Sequence, residues 1–110
     1  MGIVSSTRAA RMAVSRETVD KLIVSDKVVI FSKTTCPFCK MAKEVFDKLK
    51  EAYTAIELDK REDGDDIFDI LEEITGARTV PRVFVKGEFI GGGTDVKKMY
   101  ETGKLAEKLA

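Results

Sequence analysis

Lys27-Val28-Val29-Ile30-Phe31-Ser32-Lys33-Thr34-Thr35-Cys36-Pro37-Phe38-Cys39-Lys40-Met41-Ala42-Lys43-Glu44-Val45-Phe46 changes its hydrophobic period partway along. Up to Ser32 it is an apolar run rich in β-branched residues and too short for a helix, which reads as a buried strand. From Pro37 to about Glu51 the apolar positions Ala42, Val45, Phe46 and Leu49 share one helical face. Pro37 suits the first helical turn, where a missing N–H costs nothing. Cys36 and Cys39 therefore stand where a strand hands over to a helix.

Working outward, Ser15 is placed to cap a helix carrying Val19, Leu22 and Ile23 on one face, with Val14 and Val19 spaced as a hydrophobic staple. Tyr53 to Leu58 reads as a second strand. Asp65 or Asp66 is the expected cap of the next helix, whose Ile67, Ile70, Leu71 and Ile74 follow the i, i+3, i+4, i+7 rule and which Gly76 ends. Arg82–Val85 and Phe89–Ile90 read as a hairpin turned at Gly87. Gly91-Gly92-Gly93 breaks its second strand, and Thr94 is the expected cap of a last helix with Val96, Met99 and Tyr100 inward, interrupted at Gly103 before Leu105 and Leu109. The order is α-β-α-β-α-β-β-α. A helix joining the first two strands implies a right-handed crossover and parallel strands.

The 110 residues fit one domain, and 44 % hydrophobic with 35 % charged side chains suits a single core under a solvated surface. Basic and acidic residues balance at 19 each, which gives no support to nucleic-acid or polybasic membrane-surface binding. No apolar run approaches the roughly 18 residues a membrane-spanning helix needs, and no secretory leader is visible near the start. Residues 1–14, rich in Ser, Ala and Arg, read as a flexible extension before a domain at 15–110. Met1-Gly2-Ile3-Val4-Ser5-Ser6 also fits the N-myristoylation pattern, and Arg8, Arg11 and Arg16 before any acid give the stretch some likeness to a mitochondrial transit segment. The expected compartment is the cytoplasm, with a mitochondrial or lipid-anchored form as alternatives.

The two cysteines are three apart and the chain has no histidine. Zinc needs four ligands, so a zinc site would require a second chain. A structural disulfide would close too small a loop to restrain the unfolded chain much. Redox work in a reducing compartment fits better. Cys36 precedes the helix, near the unpaired first-turn N–H groups and the positive end of the helix dipole, and Lys33 adds positive charge. Both favour thiolate over thiol. Cys39, one turn further in, is more shielded. Cys36 is thus the expected nucleophile and Cys39 the resolving partner.

Lys33-Thr34-Thr35-Cys36-Pro37-Phe38-Cys39 resembles the active-site motif of dithiol glutaredoxins, commonly Cys-Pro-Tyr-Cys. Thr75-Gly76-Ala77-Arg78-Thr79-Val80-Pro81-Arg82-Val83-Phe84 and Gly91-Gly92-Gly93-Thr94-Asp95 resemble that family's two glutathione-binding segments, so the likeness covers roughly residues 15–110. It implies an α/β, thioredoxin-like fold with a four-stranded mixed sheet flanked by helices. It implies glutathione as cosubstrate, no metal, a monomer, and reduction of glutathionylated or disulfide-bonded proteins. Electrons would come indirectly from NADPH through glutathione reductase.

Carried over by position, Cys36 and Cys39 are catalytic, and Lys33, Phe38, Thr79, Val80, Pro81, Thr94 and Asp95 bind glutathione. A cis Val80–Pro81 bond leaves the Val80 backbone to pair with the tripeptide. The N–H groups of Thr94 and Asp95 hold the γ-glutamyl carboxylate, the Asp95 side chain takes the ammonium, and Lys33 takes the glycine carboxylate, with Arg78 assisting through charge. Each has an ordinary reading too: Thr94 caps any helix well, and Lys33 and Arg78 suit any charged surface. Phe38 replaces the commoner Tyr. Phe68 stands where relatives often place a Gln that helps hold a glutathione carboxylate. Two rivals remain. One is a glutathione-ligated iron–sulfur cluster carried by a dimer, which Pro37 disfavours by stiffening the turn. The other is a thioredoxin-like reductase, whose usual Trp-Cys-Gly-Pro-Cys is missing from a chain with no tryptophan.

Overall fold

The apolar run at Val28–Ser32 is β1, and all five of its residues are buried. It can be apolar throughout because both faces of the sheet are covered, so its alternating side chains enter two different cores. A computed structural model of the chain describes residues 14–110; the extension expected over residues 1–14, with its targeting patterns, lies outside the described residues but for Val14. Within them the order is α1 (Arg16–Ile23), β1, α2 (Pro37–Lys48), β2 (Thr54–Glu57), a 3-10 turn (Leu58–Lys60), α3 (Gly64–Thr75), β3 (Arg82–Val85), β4 (Glu88–Gly91), α4 (Gly93–Glu101) and α5 (Lys104–Leu109). No helix among these residues is long and apolar enough to cross a membrane.

The sheet runs β2-β1-β3-β4. β1 pairs parallel with β2, as the crossover through α2 requires, and antiparallel with β3. β3 and β4 form the hairpin, turned through Lys86 (φ 52°) and Gly87 (φ 82°). Two consecutive left-handed residues match the natural twist of a hairpin.

One face of the sheet holds Val29, Phe31, Ile56 and Phe84 against Val19 and Ile23 of α1 and Ile67, Phe68 and Leu71 of α3, with Val14 alongside. The other holds Val28, Ile30, Val83 and Val85 against Ala42, Val45 and Phe46 of α2, Val96 of α4, and Leu105 and Leu109 of α5. Fully burying each such side chain contributes roughly 1.5–3 kcal/mol.

Two boundaries differ from the sequence expectation. α3 begins at Gly64, with Asp63 rather than Asp65 or Asp66 at the cap position and no side-chain cap bond. A Cβ on Gly64 would lie 1.9 Å from the Leu58 carbonyl oxygen, so the helix starts where glycine allows it to touch the 3-10 turn. α4 begins at Gly93, not after Thr94. Gly92 is its N-cap, and Asp95 Oδ2 accepts the Gly92 N–H at 2.9 Å. The expected interruption at Gly103 (φ 80°) is present and divides the last helix into α4 and α5.

Candidate active site

Lys33–Cys36 connects the end of β1 to the start of α2, and Cys36 takes the N-cap position with extended backbone. Its N–H donates to the Lys33 carbonyl at 3.1 Å, which closes the turn. Cys36 Sγ accepts the Cys39 backbone N–H at 3.2 Å. The sulfur thereby does for the helix what a serine or aspartate oxygen does at other N-caps, satisfying one orphan donor of the first turn. An anionic sulfur is the stronger acceptor in such a bond.

The turn is braced from the segment that follows β2. Asp59, in the 3-10 turn, accepts the Thr34 backbone N–H at 3.1 and 3.2 Å through its two oxygens and also the Thr34 hydroxyl. These bonds, the hydroxyl's first, hold the Asp59 carboxyl below the usual range despite some desolvation. Sequence reasoning passed over Asp59, because nothing local announces that it reaches a loop 25 residues earlier.

The two sulfurs differ as their positions imply. Cys36 is half-buried, Cys39 is fully buried, and both are free thiols. Burial, and next the hydrogen bond with Cys36, push the Cys39 thiol up to about 11. Cys39 therefore holds its proton at neutral pH.

Two groups of the residues singled out by sequence meet the start of α2, one at Cys36 and one at Phe38. Thr79-Val80-Pro81 lies against Cys36, with a cis Val80–Pro81 bond and the Cys36 thiol donating to the Val80 carbonyl at 3.6 Å. That carbonyl, expected to be open to a ligand, thus carries a weak contact to the sulfur. On the other side Phe38, 54 % exposed, stands one residue into α2 beside the head of α4. A Cβ on Gly93 would come within 2.9 Å of the Phe38 carbonyl oxygen, so this glycine lets the two helix starts meet. Thr94 and Asp95 follow in the first turn of α4. Thr94 is exposed, and one Asp95 oxygen is engaged by Gly92.

Lys33 and Arg78 converge on Phe68. The Lys33 ammonium lies 4.7 Å and the Arg78 guanidinium carbon 4.6 Å from the ring centroid. The residue that removes a hydrogen-bonding amide thus collects two cations on a largely buried ring. Arg78 is also paired with Asp69 and lies 3.5 Å from Glu72, which reduces its free charge. Among the described residues no group of three His, Cys, Asp or Glu side chains is arranged to hold a metal ion.

This assembly presents a half-exposed sulfur on a helix N-terminus, facing a backbone edge, flanked by an exposed ring, a second helix N-terminus and two cations. Chemically it suits disulfide exchange with a small, extended, anionic thiol. The family model described as Glutaredoxin matches residues 28–90. The chain is similar to glutaredoxin-C4 of Arabidopsis thaliana, 46 % identical over 96 % of this chain and 78 % of that protein. It is also 47 % identical to mitochondrial glutaredoxin-2 of Mus musculus over 79 % of this chain, which spans 56 % of the mouse protein. Among solved structures, the buckwheat glutaredoxin–glutathione complex superposes with a TM-score of 0.85 at 40 % identity, covering 91 % of each chain.

Proposed function

This chain belongs to the glutaredoxin family, and on that premise we propose that it reduces protein–glutathione mixed disulfides and protein disulfides, with Cys36 as nucleophile. The carrying observation is Cys36 Sγ at the cap of α2, bonded by the Cys39 N–H and set against the Val80 backbone.

In the first step the Cys36 sulfur attacks the glutathione sulfur of a mixed disulfide. A Cys36–glutathione S–S bond forms as the glutathione–protein S–S bond breaks, and the protein thiolate departs and takes a proton from solvent. In the second, a free glutathione thiol loses its proton and attacks the Cys36-bound glutathione. Oxidised glutathione leaves, and Cys36 is again the reduced sulfur capping α2. With a protein disulfide, Cys36 first becomes linked to one substrate sulfur. Cys39 then attacks Cys36 as its proton passes to the departing substrate sulfur, so that a Cys36–Cys39 disulfide forms while the Cys36–substrate S–S bond breaks and the reduced substrate leaves. Glutathione restores the dithiol, and NADPH through glutathione reductase keeps glutathione reduced.

The tripeptide is held as an added strand along Val80. Its γ-glutamyl carboxylate meets the first-turn N–H groups of α4 at Thr94 and Asp95, where the helix dipole adds attraction. The Asp95 oxygen not used by Gly92 receives the ammonium. Its glycine carboxylate meets Lys33, with Arg78 close by across Phe68.

The test is turnover of a small glutathione mixed disulfide, coupled to glutathione reductase and read as NADPH loss. Wild type should turn over. Cys36→Ser should lose at least about a thousandfold, as expected when a covalent nucleophile is removed. Cys39→Ser should keep most of this activity and lose reduction of protein disulfides. Total loss in Cys39→Ser would refute the single-sulfur route. A brown, inactive protein purified without oxygen would favour cluster carriage instead.

A further inference from the structure

Arg82, the first residue of β3, is only 8 % exposed. Among the described residues no carboxylate lies within ion-pair distance of it. A desolvated cation with no carboxylate in direct contact is costly, so its surroundings must hold it largely by other means. Nε donates to the Pro81 carbonyl at 3.2 Å, Nη1 to the Thr75 hydroxyl at 3.3 Å and Nη2 to the Thr79 hydroxyl at 2.9 Å. The Thr75 hydroxyl in turn donates to the Leu71 carbonyl at 2.7 Å, linking the guanidinium to the negative end of α3. The Phe89 ring lies 5.0 Å away. Dipoles and a π face solvate the charge at contact distance, and the Asp95 carboxylate acts on it only from further off.

The position of these partners matters. Thr79 and Pro81 bracket Val80, the residue in contact with Cys36. A Cβ on Gly92 would stand 3.1 Å from Nη2, so the same guanidinium also backs the residue that caps α4. One side chain therefore joins the end of α3, the Thr79–Pro81 segment and the turn into α4. Burial draws the guanidinium below its ordinary value while the field of Asp95 opposes this, and an arginine so placed remains a cation at neutral pH.

We propose that Arg82 is the positioning residue of the glutathione site: its fork fixes the Thr79–Pro81 segment relative to the head of α4, and its unneutralised charge favours an anionic tripeptide over a neutral disulfide. This rests on the glutathione-dependent reading above. Lysine supplies the charge without the planar three-point fork, and methionine supplies comparable bulk without either.

The experiment compares wild type, Arg82→Met and Arg82→Lys in two assays. In the coupled assay with a small glutathione mixed disulfide, Arg82→Met should raise KM about tenfold and change kcat less than about threefold, and Arg82→Lys should fall between it and wild type. In a single-turnover reaction of reduced protein with bis(2-hydroxyethyl) disulfide, an uncharged oxidant, both variants should react within about twofold of wild type. Equal losses in both assays, or an unchanged KM, would overturn the inference and show a merely structural arginine. If Arg82→Met does not fold, Arg82→Lys decides by the same criteria, a KM equal to wild type being the overturning result. Failure of wild type itself in the coupled assay would overturn the functional reading, and this inference with it.

Discussion

At the scale of single residues, the fold treats two chemically identical side chains differently. Cys36 faces outward at a helix cap, while Cys39 sits one turn deeper, is fully buried, and is pushed up to about 11 from an ordinary 9.0. This difference has a stability consequence whose sign follows from linkage. Between about pH 9 and 11 the unfolded chain gives up the Cys39 proton while the folded chain keeps it. The unfolded state is thus favoured over that window, and the stability present below pH 9 declines until about pH 11. The reduced Cys39→Ser protein lacks this titration, so its urea midpoint should fall less between pH 8 and pH 10 than that of reduced wild type. Parallel declines would show that Cys39 does not retain its proton. Phe68 carries a second lesson at this scale. Read alone it removes an amide, yet in the fold it brings Lys33 and Arg78 together over one ring.

At the scale of elements, the legible features were those with a local physical cause. Val28–Ser32 had to be a covered strand because Val28–Phe31 are apolar without a break, and the Cys-x-x-Cys fell at its helix junction by spacing alone. The start of α4 was misread because Thr94 has the right chemistry for a cap, whereas the deciding interaction is Asp95 reaching back to the Gly92 N–H. Arg82 was passed over because an arginine after a proline looks like surface. Only the folded chain shows Thr75, Thr79 and Pro81 closing around it. Glycine roles that depend on close approach were equally hidden. Gly93→Ala would set a methyl group 2.9 Å from the Phe38 carbonyl oxygen and 3.2 Å from Met41 Cε. Forcing α2 and α4 apart in this way should cost about 1–3 kcal/mol in urea unfolding. An unchanged midpoint would mean that the two helix starts shift freely past one another.

At the scale of the whole molecule, two apolar clusters share one sheet, and β1 and β3 supply side chains to both. Damage to one cluster should therefore weaken the other. Both tyrosines, Tyr53 and Tyr100, belong to the cluster beneath α2, and there is no tryptophan, so intrinsic fluorescence reports on that side alone. Phe31→Leu, on the opposite side, should lower the tyrosine-detected and far-ultraviolet unfolding midpoints together, by about 1–3 kcal/mol. A tyrosine signal that stays put while the helical signal shifts would reveal two independent units. If Cys36 carries a protein by the proposed S–S link, the placement of β1 between β2 and β3 bears on how that link is held. Tugging from that cargo passes through only Lys33–Cys36 before it loads a strand laced to neighbours along both edges, one parallel and one antiparallel. Extracting that strand means shearing two ladders at once. A protein tethered in that way would hang beside an inner strand of the sheet, and its Brownian jostling would be passed to two neighbouring strands rather than to the loop alone.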